Sequence, residues 1–381
     1  LGFVLLAFTV TWPLPLRLKT HLLGSPEGDT GVYVWNLWIF RHEWLRHARF
    51  PISTDHVFAY TGGADFSLHN YTPIAGLFAL PLIGPLGVEA AYNVVLILFV
   101  ALSGAGVFLL ARRLGLASVW AWLAGAVFAA SPLFVARTSA HLSLVTAAPL
   151  PLFLWALLRT FESRRVRDAV LVGALVAVAS YADAYYGIYC VLMGAFVVAG
   201  RFLVWSRGSA TALRIVRFVD VLIAVLAALV AWRLLNGGTD VVIGTVKIHL
   251  QTLYNPALAL VVLAALRWWL TFRPSVQVHD PEAALPRLRR LAAVAVAACL
   301  VVMLPVIVGL AMRYVDGRLP GTETFWRSSP RGVDALAYVV PNPNHPWFGD
   351  VTRRWFLPPR LDAFPELVAS FSLVALLAIA I

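Results

Sequence analysis

Apolar runs of about twenty residues recur along the chain, and a run of that length is what a helix needs to cross a bilayer. Hydrophobic residues fill 60% of the 381 positions, which excludes a soluble globular protein. The sequence therefore predicts an all-α integral membrane protein with about ten transmembrane helices. These lie near 1–16, 90–111, 117–136, 144–158, 168–184, 185–203, 216–233, 256–271, 291–312 and 365–381.

One further apolar run, 73–88, contains three prolines and three glycines. Proline lacks a backbone donor and disfavours a helix interior, so we expect a re-entrant or interfacial stretch here and not a span. The chain begins at Leu1 without a methionine and closes inside an apolar run. We therefore expect residues 1–381 to be a fragment, at both ends, of a single polytopic domain.

Basic residues cluster in every second loop, and this pattern sets the orientation in the membrane. Fifteen of the 30 basic residues lie in four such loops, against three in the short loops on the other side. By the positive-inside rule, the clustered loops face the cytoplasm. The net charge of +11 thus reflects topology, and we find no nucleic-acid signal. Two long loops then face outward, 17–72 and 313–364, and most acids and histidines lie on that side.

The segment after the first span carries a polar set at helical spacing. Residues three and four apart share one helix face. The residues on this face are, in chain order, Asp29, Tyr33, Asn36, Phe40, Glu43 and His47, and all except Phe40 are polar. We interpret the segment as a helix in the membrane interface that turns an acidic stripe toward water. Asp29 is then the candidate catalytic carboxylate, and the alternative is that Asp29 only caps the helix.

Arg137 and His141 stand four residues apart between the third and fourth predicted spans. A helix would place both on one face at the outer surface, where a guanidinium suits a phosphate in a forked geometry. The alternative is an arginine that extends to lipid headgroups. Asp183 lies at membrane depth, where an acid usually meets a partner. We expect Arg137 as that partner, in the site or as a structural pair between helices.

The first outer loop also contains residue types that bind metals. Asp55, Asp65 and His69 follow Asp29 in this loop, and carboxylate and imidazole are usual ligands of divalent cations. Asp29, Asp65 and His69 are the candidate metal ligands, although their spacing matches no metal motif. The alternative is that Asp55 and Asp65 belong to turns beside glycines. A divalent cation is the one cofactor that the sequence raises.

Two later segments have local patterns of their own. Apolar and polar residues alternate from Gly237 to Gln251, which predicts a short structural strand or hairpin. The loop 313–364 holds Asp334, His345 and Trp347 among prolines. Aromatic faces suit sugar rings, so this loop could grip an acceptor or cover a site, and rigidity from proline alone is the alternative.

Short motifs in about the first 190 residues carry a family resemblance. They are Gly28-Asp29 with Tyr33 and Trp35, Phe58 to Gly63, Pro73 with Leu80-Pro81, Ala111 to Gly115, Phe128 to Pro132, His141 to Ser143 and Pro149 to Leu152. With them the chain resembles the GT-C superfamily of polyprenyl-phosphate-sugar-dependent glycosyltransferases, and within it the bacterial members. It departs from the protein mannosyltransferases, which have an Asp-Glu pair where this chain has Asp29-Thr30. It also departs from the aminoarabinose transferases, which have a Lys-Pro-Pro element near Pro73.

This resemblance implies a GT-C-like fold with an interfacial helix in the first periplasmic loop, 17–72, and a late periplasmic loop, 313–364. It implies inverting transfer of a sugar from a polyprenyl-phosphate donor to a glycan, lipid or protein acceptor, on the outer face of a bacterial plasma membrane. It gives the role of catalytic base or acceptor-positioning residue to Asp29 alone. From their own residue types, Arg137 and His141 are our candidates for binding the phosphate, and the candidate supporting residues are Tyr33, Asp183, Asp55, Asp65 and His69.

Two other classes of protein fit the same pattern. A transporter or flippase of a lipid-linked or anionic substrate would use the same cavity without making a bond. Inverted repeats would favour it, and the two halves contain no convincing repeat. A non-catalytic GT-C-like scaffold would be favoured by an Asp29 that faces lipid headgroups.

Overall fold

The computed structural model describes residues 1–24, 28–48, 50–54, 64–66, 71–206, 213–236, 240–243, 246–249, 254–272, 275–278, 285–317 and 349–355. Most of these residues are helical, which confirms the all-α prediction. The chain divides into two compact units. The first consists of Leu1–Phe202 with His279–Leu319, and the second of Leu203–Val278 with Pro320–Ile381.

The elements in chain order are α1 (Gly2–Val10), α2 (Thr30–His47), β1 (Ser53–Thr54), β2 (Ala64–Asp65), α3 (Pro73–Leu86), α4 (Val88–Arg113), α5 (Ser118–Ala129), α6 (Pro132–Thr138), α7 (Leu142–Val145), α8 (Pro149–Ser163), α9 (Val166–Ala182), α10 (Ala184–Phe202), β3 (Leu203–Ser206), α11 (Leu213–Asn236), β4 (Asp240–Ile243), β5 (Val246–His249), α12 (Tyr254–Phe272), β6 (Ser275–Val278), α13 (Leu285–Val315) and α14 (Gly349–Trp355).

Five helical segments in the described ranges are long and apolar enough to cross a membrane. They are α4, α7 together with α8, α10, the stretch Ile215–Trp232 of α11, and α13. The pair α5 and α6 would make a sixth span, although the two helices are bent by 47°. The first predicted span stops early, because α1 ends at Val10 before Pro13 and Pro15. The last predicted span lies outside the described residues, and the count of ten stays a prediction.

The run 73–88 forms a regular helix, α3, that continues through Pro81 and Pro85. Its 14 residues give a length of about 21 Å, which is short of the roughly 30 Å hydrocarbon core of a bilayer. α3 packs against α2 and α4. Gly76 lies directly against Phe40 of α2, since a Cβ added at Gly76 would stand 2.4 Å from the Phe40 Cγ atom. A side chain at position 76 would therefore force α2 and α3 apart.

Helix α4 forms the centre of the first unit, where it contacts α1, α2, α3, α5, α7 and α8. Its Tyr92, Val95 and Leu96 are completely buried. α4 and α5 approach most closely at two glycines, because a Cβ added at Gly125 would lie 2.4 Å from the Gly104 carbonyl oxygen. Small residues at a crossing let apolar helices pack closely inside a membrane. In the same unit, α9 packs against α8, α10 and α13.

The second unit contains α11 packed against α12, with two antiparallel strand pairs. β4 and β5 form a hairpin in which Asp240 is opposite His249, so the predicted hairpin is confirmed. β3 pairs with β6, with Leu203 opposite Val278. The sequence did not predict this second pair, because its strands are four residues long and far apart along the chain.

Candidate functional site

Helix α2 has the predicted polar face, but most of that face is turned into the protein. α3 and α4 pack against α2. The four middle residues of the face are each at most 2% exposed: Tyr33, Asn36, Phe40 and Glu43. The prediction that the whole stripe faces water is therefore wrong. Only the two ends of the stripe, Asp29 and His47, are exposed.

At the N-terminal end of α2, three predicted site residues contact one another. The Asp29 Oδ2 atom lies 3.3 Å from His141 Nε2, and the Asp29 side chain is 60% exposed. The Arg137 guanidinium lies 3.2 Å from His141 Nδ1. Asp29 occupies the N-cap position of α2, yet its side chain makes no capping hydrogen bond. The carboxylate is therefore directed at His141 and does not serve as a helix cap.

These contacts define the proton positions on His141. A guanidinium can only donate hydrogen bonds, so Nδ1 of His141 accepts one from Arg137. Nε2 then carries the ring proton and donates it toward Asp29. We assign this tautomer from the partners, since proton positions follow from the hydrogen-bond network. The result is a directed chain from Arg137 through His141 to the Asp29 carboxylate.

Arg137 and His141 reach each other across a turn and not along one helix. α6 ends at Thr138 and α7 begins at Leu142, with His141 between them. The His141 N–H donates to the Arg137 carbonyl at 2.8 Å, so one helical turn of backbone closes between the two residues. The predicted proximity is confirmed, although the backbone that provides it is the α6–α7 turn.

The start of α2 is joined directly to this α6–α7 turn. The Thr30 hydroxyl donates to the Ser139 carbonyl at 3.1 Å and to the Leu23 carbonyl at 3.0 Å. Gly24 lies so close to the turn that an added Cβ would be 2.0 Å from the Ser139 oxygen, and its φ of +111° also requires glycine. Tyr33 and Ser143 share a hydrogen bond of 3.0 Å between their hydroxyls.

Two further helices hold α7 from other sides. From α4, the Ser103 hydroxyl donates to the Val145 carbonyl at 3.3 Å. From α10, the Tyr186 hydroxyl donates to the Leu144 carbonyl at 2.5 Å. α7 has only four residues and would not be stable as an isolated helix. Its position is therefore fixed by α2, α4 and α10, and so is the position of His141 immediately before it.

Tyr33 lies beneath the exposed end of the site. Burial raises the pKa of its phenol, and the charges of Asp183 and Asp29 raise it further, against the effect of the Ser143 hydrogen bond. Tyr33 therefore keeps its proton at neutral pH and remains a neutral hydrogen-bonding group. Both carboxylates act on this phenol, so Asp183 belongs to the same neighbourhood as Asp29.

The predicted ion pair between Arg137 and Asp183 is wrong. Asp183 is buried at the break between α9 and α10, and its Oδ1 accepts the Tyr185 N–H at 2.9 Å. It thereby begins α10 by satisfying a backbone donor that has no partner inside the helix. Arg137 is directed at His141 instead. The role of Asp183 that the contacts define is the start of a helix.

Three predicted site residues have side chains outside the described residues. They are Asp55, Asp65 and His69, of which Asp65 has a described backbone in β2, paired with Ser53 of β1. The metal set Asp29, Asp65 and His69 therefore stays a prediction.

A second group of potential ligands, which the sequence reasoning missed, lies at the other end of α2. The ligand atoms of His42, Glu43 and His47 all lie within 4.8 Å of one another. The sequence signal is a His-Glu pair followed by His47 one turn after Glu43. It differs by one residue from the H-E-x-x-H zinc motif, so a search for that motif does not find it.

In the described ranges, fold and site together define an all-α protein with five candidate membrane-spanning helices. At one end of α2 an exposed carboxylate contacts a partly buried imidazole, which in turn contacts a guanidinium. The chain matches the family described as "Domain of unknown function (DUF6311)" over residues 1–280, and it belongs to that family. No curated protein matches the chain. No solved structure matches it either.

Proposed function

We propose that the protein is a GT-C-type glycosyltransferase of a bacterial plasma membrane. It would transfer a sugar from a polyprenyl-phosphate donor to a glycan, lipid or protein acceptor on the outer face, with inversion at the anomeric carbon. The observation that supports this proposal is the contact of Asp29 with His141 and of His141 with Arg137. A carboxylate base and a cationic phosphate site are the two groups that this reaction needs.

In the proposed step, the Asp29 carboxylate takes the proton of an acceptor hydroxyl. The hydroxyl oxygen forms a bond to the anomeric carbon, and the bond between that carbon and the donor phosphate oxygen breaks. The electron pair leaves with the polyprenyl phosphate, which gains negative charge. A positioned base contributes about 10² to 10⁴-fold to such a rate. Asp29 is 60% exposed and can meet an acceptor that comes from the aqueous side.

Arg137 and His141 would stabilise the leaving phosphate. The guanidinium donates two parallel hydrogen bonds to phosphate oxygens, and His141 adds the Nε2 proton. In the structure that proton points to Asp29. Inversion requires the base and the leaving group on opposite sides of the sugar. Donor binding would therefore turn His141 toward the phosphate and release the Asp29 carboxylate for the acceptor.

The surroundings of the site favour a fixed geometry. Tyr33 and Ser143 are both buried and bonded to each other, and Thr30 joins α2 to the α6–α7 turn. A site held by such contacts spends little free energy on reorganisation during the reaction. Tyr33 thus acts as a positioning residue, because it supports the segment that carries His141.

The experiment is a transfer assay with the purified chain in lipid nanodiscs and a panel of radiolabelled polyprenyl-phosphate sugars. The wild-type protein is expected to release polyprenyl phosphate and to label an acceptor from envelope extracts. Asp29→Asn should lower this rate at least 100-fold while the protein folds normally. Glu89→Gln is the matched control, since Glu89 is an exposed acid at the start of α4 and should have no effect.

Two outcomes contradict the proposal. An Asp29→Asn protein with full transfer activity removes Asp29 from the role of base. A wild-type protein that binds a labelled donor, moves it across the bilayer and leaves its phosphate–sugar bond intact is a transporter or flippase.

A further inference from the structure

The C-terminal end of α2 combines two imidazoles and one carboxylate. Within the described residues, His42, Glu43 and His47 bring one ligand atom each to within 4.8 Å of the others. The ring centroids of His42 and His47 are 5.5 Å apart. Glu43 and His47 stand four residues apart and so lie above one another on the helix. One helix therefore presents all three ligands.

Burial and a hydrogen bond hold the Glu43 side chain in place. Its side chain is completely buried, and its Oε1 accepts the Thr54 hydroxyl at 2.5 Å. A hydrogen bond to a ligating carboxylate orients the ligand and is typical of metal sites in proteins. His42 is also fixed, because its ring stacks on Trp38 with centroids 5.1 Å apart. Two of the three ligands are therefore positioned before any ion arrives.

The remaining distance is small enough for a side chain to close. Zinc binds nitrogen and carboxylate oxygen at about 2.0 to 2.2 Å, so two of its ligands are separated by about 3.4 Å in a tetrahedral site. The ligand atoms, which lie within 4.8 Å of one another, must then move closer together by somewhat more than 1 Å. His47 is exposed, and rotation of its side chain can supply this movement.

We propose that His42, Glu43 and His47 bind a divalent transition metal ion, with Zn²⁺ as the best match. Two imidazoles and a carboxylate are the ligands of open zinc sites, in which water takes the fourth position. Glu43 lies 14 residues after Asp29, which is about 21 Å along a helix. The ion is therefore too far away to act at Asp29. It ties the end of α2 to β1 through the Glu43–Thr54 hydrogen bond.

The test is a Zn²⁺ titration of the purified full chain in nanodiscs after treatment with a chelator. The wild-type protein should bind one Zn²⁺ at this site with micromolar or tighter affinity. His47→Ala should weaken binding at least 100-fold, and since His47 is exposed, the protein should still fold. His21→Ala is the matched control, because His21 is an exposed histidine whose ring contacts Thr20 and Arg17. It should bind as the wild type does.

A second measurement separates this site from any other. Co²⁺ in a site of nitrogen and oxygen ligands gives visible absorption bands that should disappear in His42→Ala and His47→Ala and persist in His21→Ala. Equal Zn²⁺ affinity in the wild-type and His47→Ala proteins, or no binding tighter than millimolar, would overturn the proposal.

Discussion

The two ends of α2 differ in how they are held and in what they expose. At the N-terminal end, Asp29 is 60% exposed and faces residues of the α6–α7 turn. At the C-terminal end, Glu43 is completely buried and bonded to Thr54. At the N-terminal end the carboxylate is exposed and the backbone segment that carries it is held in place, as a reacting group requires. The C-terminal end has a buried carboxylate with two imidazoles beside it, which are the ligand types of the proposed zinc site.

The two ends also differ in the sequence distance of their contacts. Tyr33 and Ser143 are 110 positions apart, and Thr30 and Ser139 are 109 apart. Glu43 and Thr54 are separated by only 11. The N-terminal end therefore depends on the packed first unit, whereas the C-terminal end is assembled from one short stretch. Mutations in distant helices should thus affect Asp29 chemistry more than Zn²⁺ binding.

The two variants with the largest expected effects should each change the activity of only one end of α2. Asp29→Asn should lower glycosyl transfer by about 10² to 10⁴-fold and leave Zn²⁺ affinity unchanged. His47→Ala should do the reverse. Transfer assays and Zn²⁺ titrations on the same two preparations measure this. If both variants lose both activities, the two ends are not independent.

The next effect concerns the phosphate site at the N-terminal end. Arg137→Gln should weaken donor binding by about 10- to 100-fold, because a hydrogen bond to a charged group contributes about 1.5 to 3 kcal/mol. Arg137→Lys should recover only part of this loss, since it keeps the charge but not the forked geometry. The measurement is the donor KM together with kcat.

Arg17 supplies the control for that experiment. It contacts His21 at 3.3 Å, so it forms a second arginine–histidine pair with the same spacing of four residues. Arg17→Gln should leave the donor KM unchanged. An equal rise in both variants would indicate a general effect of surface charge on an anionic lipid.

A smaller effect is expected at the C-terminal end. Thr54→Val keeps the shape of the side chain but removes the hydroxyl that donates to Glu43. Loss of such a supporting hydrogen bond should weaken Zn²⁺ binding about tenfold. The neighbouring Ser53→Ala is the control in the same titration. An unchanged affinity for Thr54→Val would show that this hydrogen bond does not support Zn²⁺ binding.

The smallest effect concerns the contact that joins α2 to α7. Tyr33→Phe should lower the free energy of unfolding by about 1 kcal/mol, because it removes one buried hydrogen bond. Unfolding in detergent, combined with Ser143→Ala in a double-mutant cycle, measures this pair. Tyr185→Phe is the control, since Tyr185 is exposed. Additive losses for Tyr33→Phe and Ser143→Ala would contradict the contact.

The sequence predicted the fold class and the helices that contain long apolar runs, because hydropathy reports them directly. It also brought Arg137 and His141 together, since a spacing of four residues suffices. It could not predict the Asp29–His141 contact, which exists only after packing. It paired Arg137 with Asp183 because burying a charge in a membrane costs free energy and such a charge usually has a partner. In the structure, Asp183 accepts a hydrogen bond from the Tyr185 backbone N–H instead.

The polar face of α2 shows why helical periodicity alone misleads. Spacing correctly grouped Tyr33, Asn36 and Glu43, but it gave no indication of which neighbours cover them. Composition suggested water, whereas in the structure Tyr33 is bonded to Ser143 of α7 and Glu43 to Thr54 of β1. Polar residues on one face of a helix in a membrane protein are as suited to the protein interior as to solvent.

Gly24 has a consequence for how the protein can move. Its left-handed backbone presses against the Ser139 carbonyl with no room for a methyl group between them. The backbone at Gly24 and the α6–α7 turn are therefore expected to move together as one rigid unit. Any conformational cycle that admits a substrate must therefore displace other parts of the protein around this pair, while the backbone segments that carry Asp29 and His141 stay together.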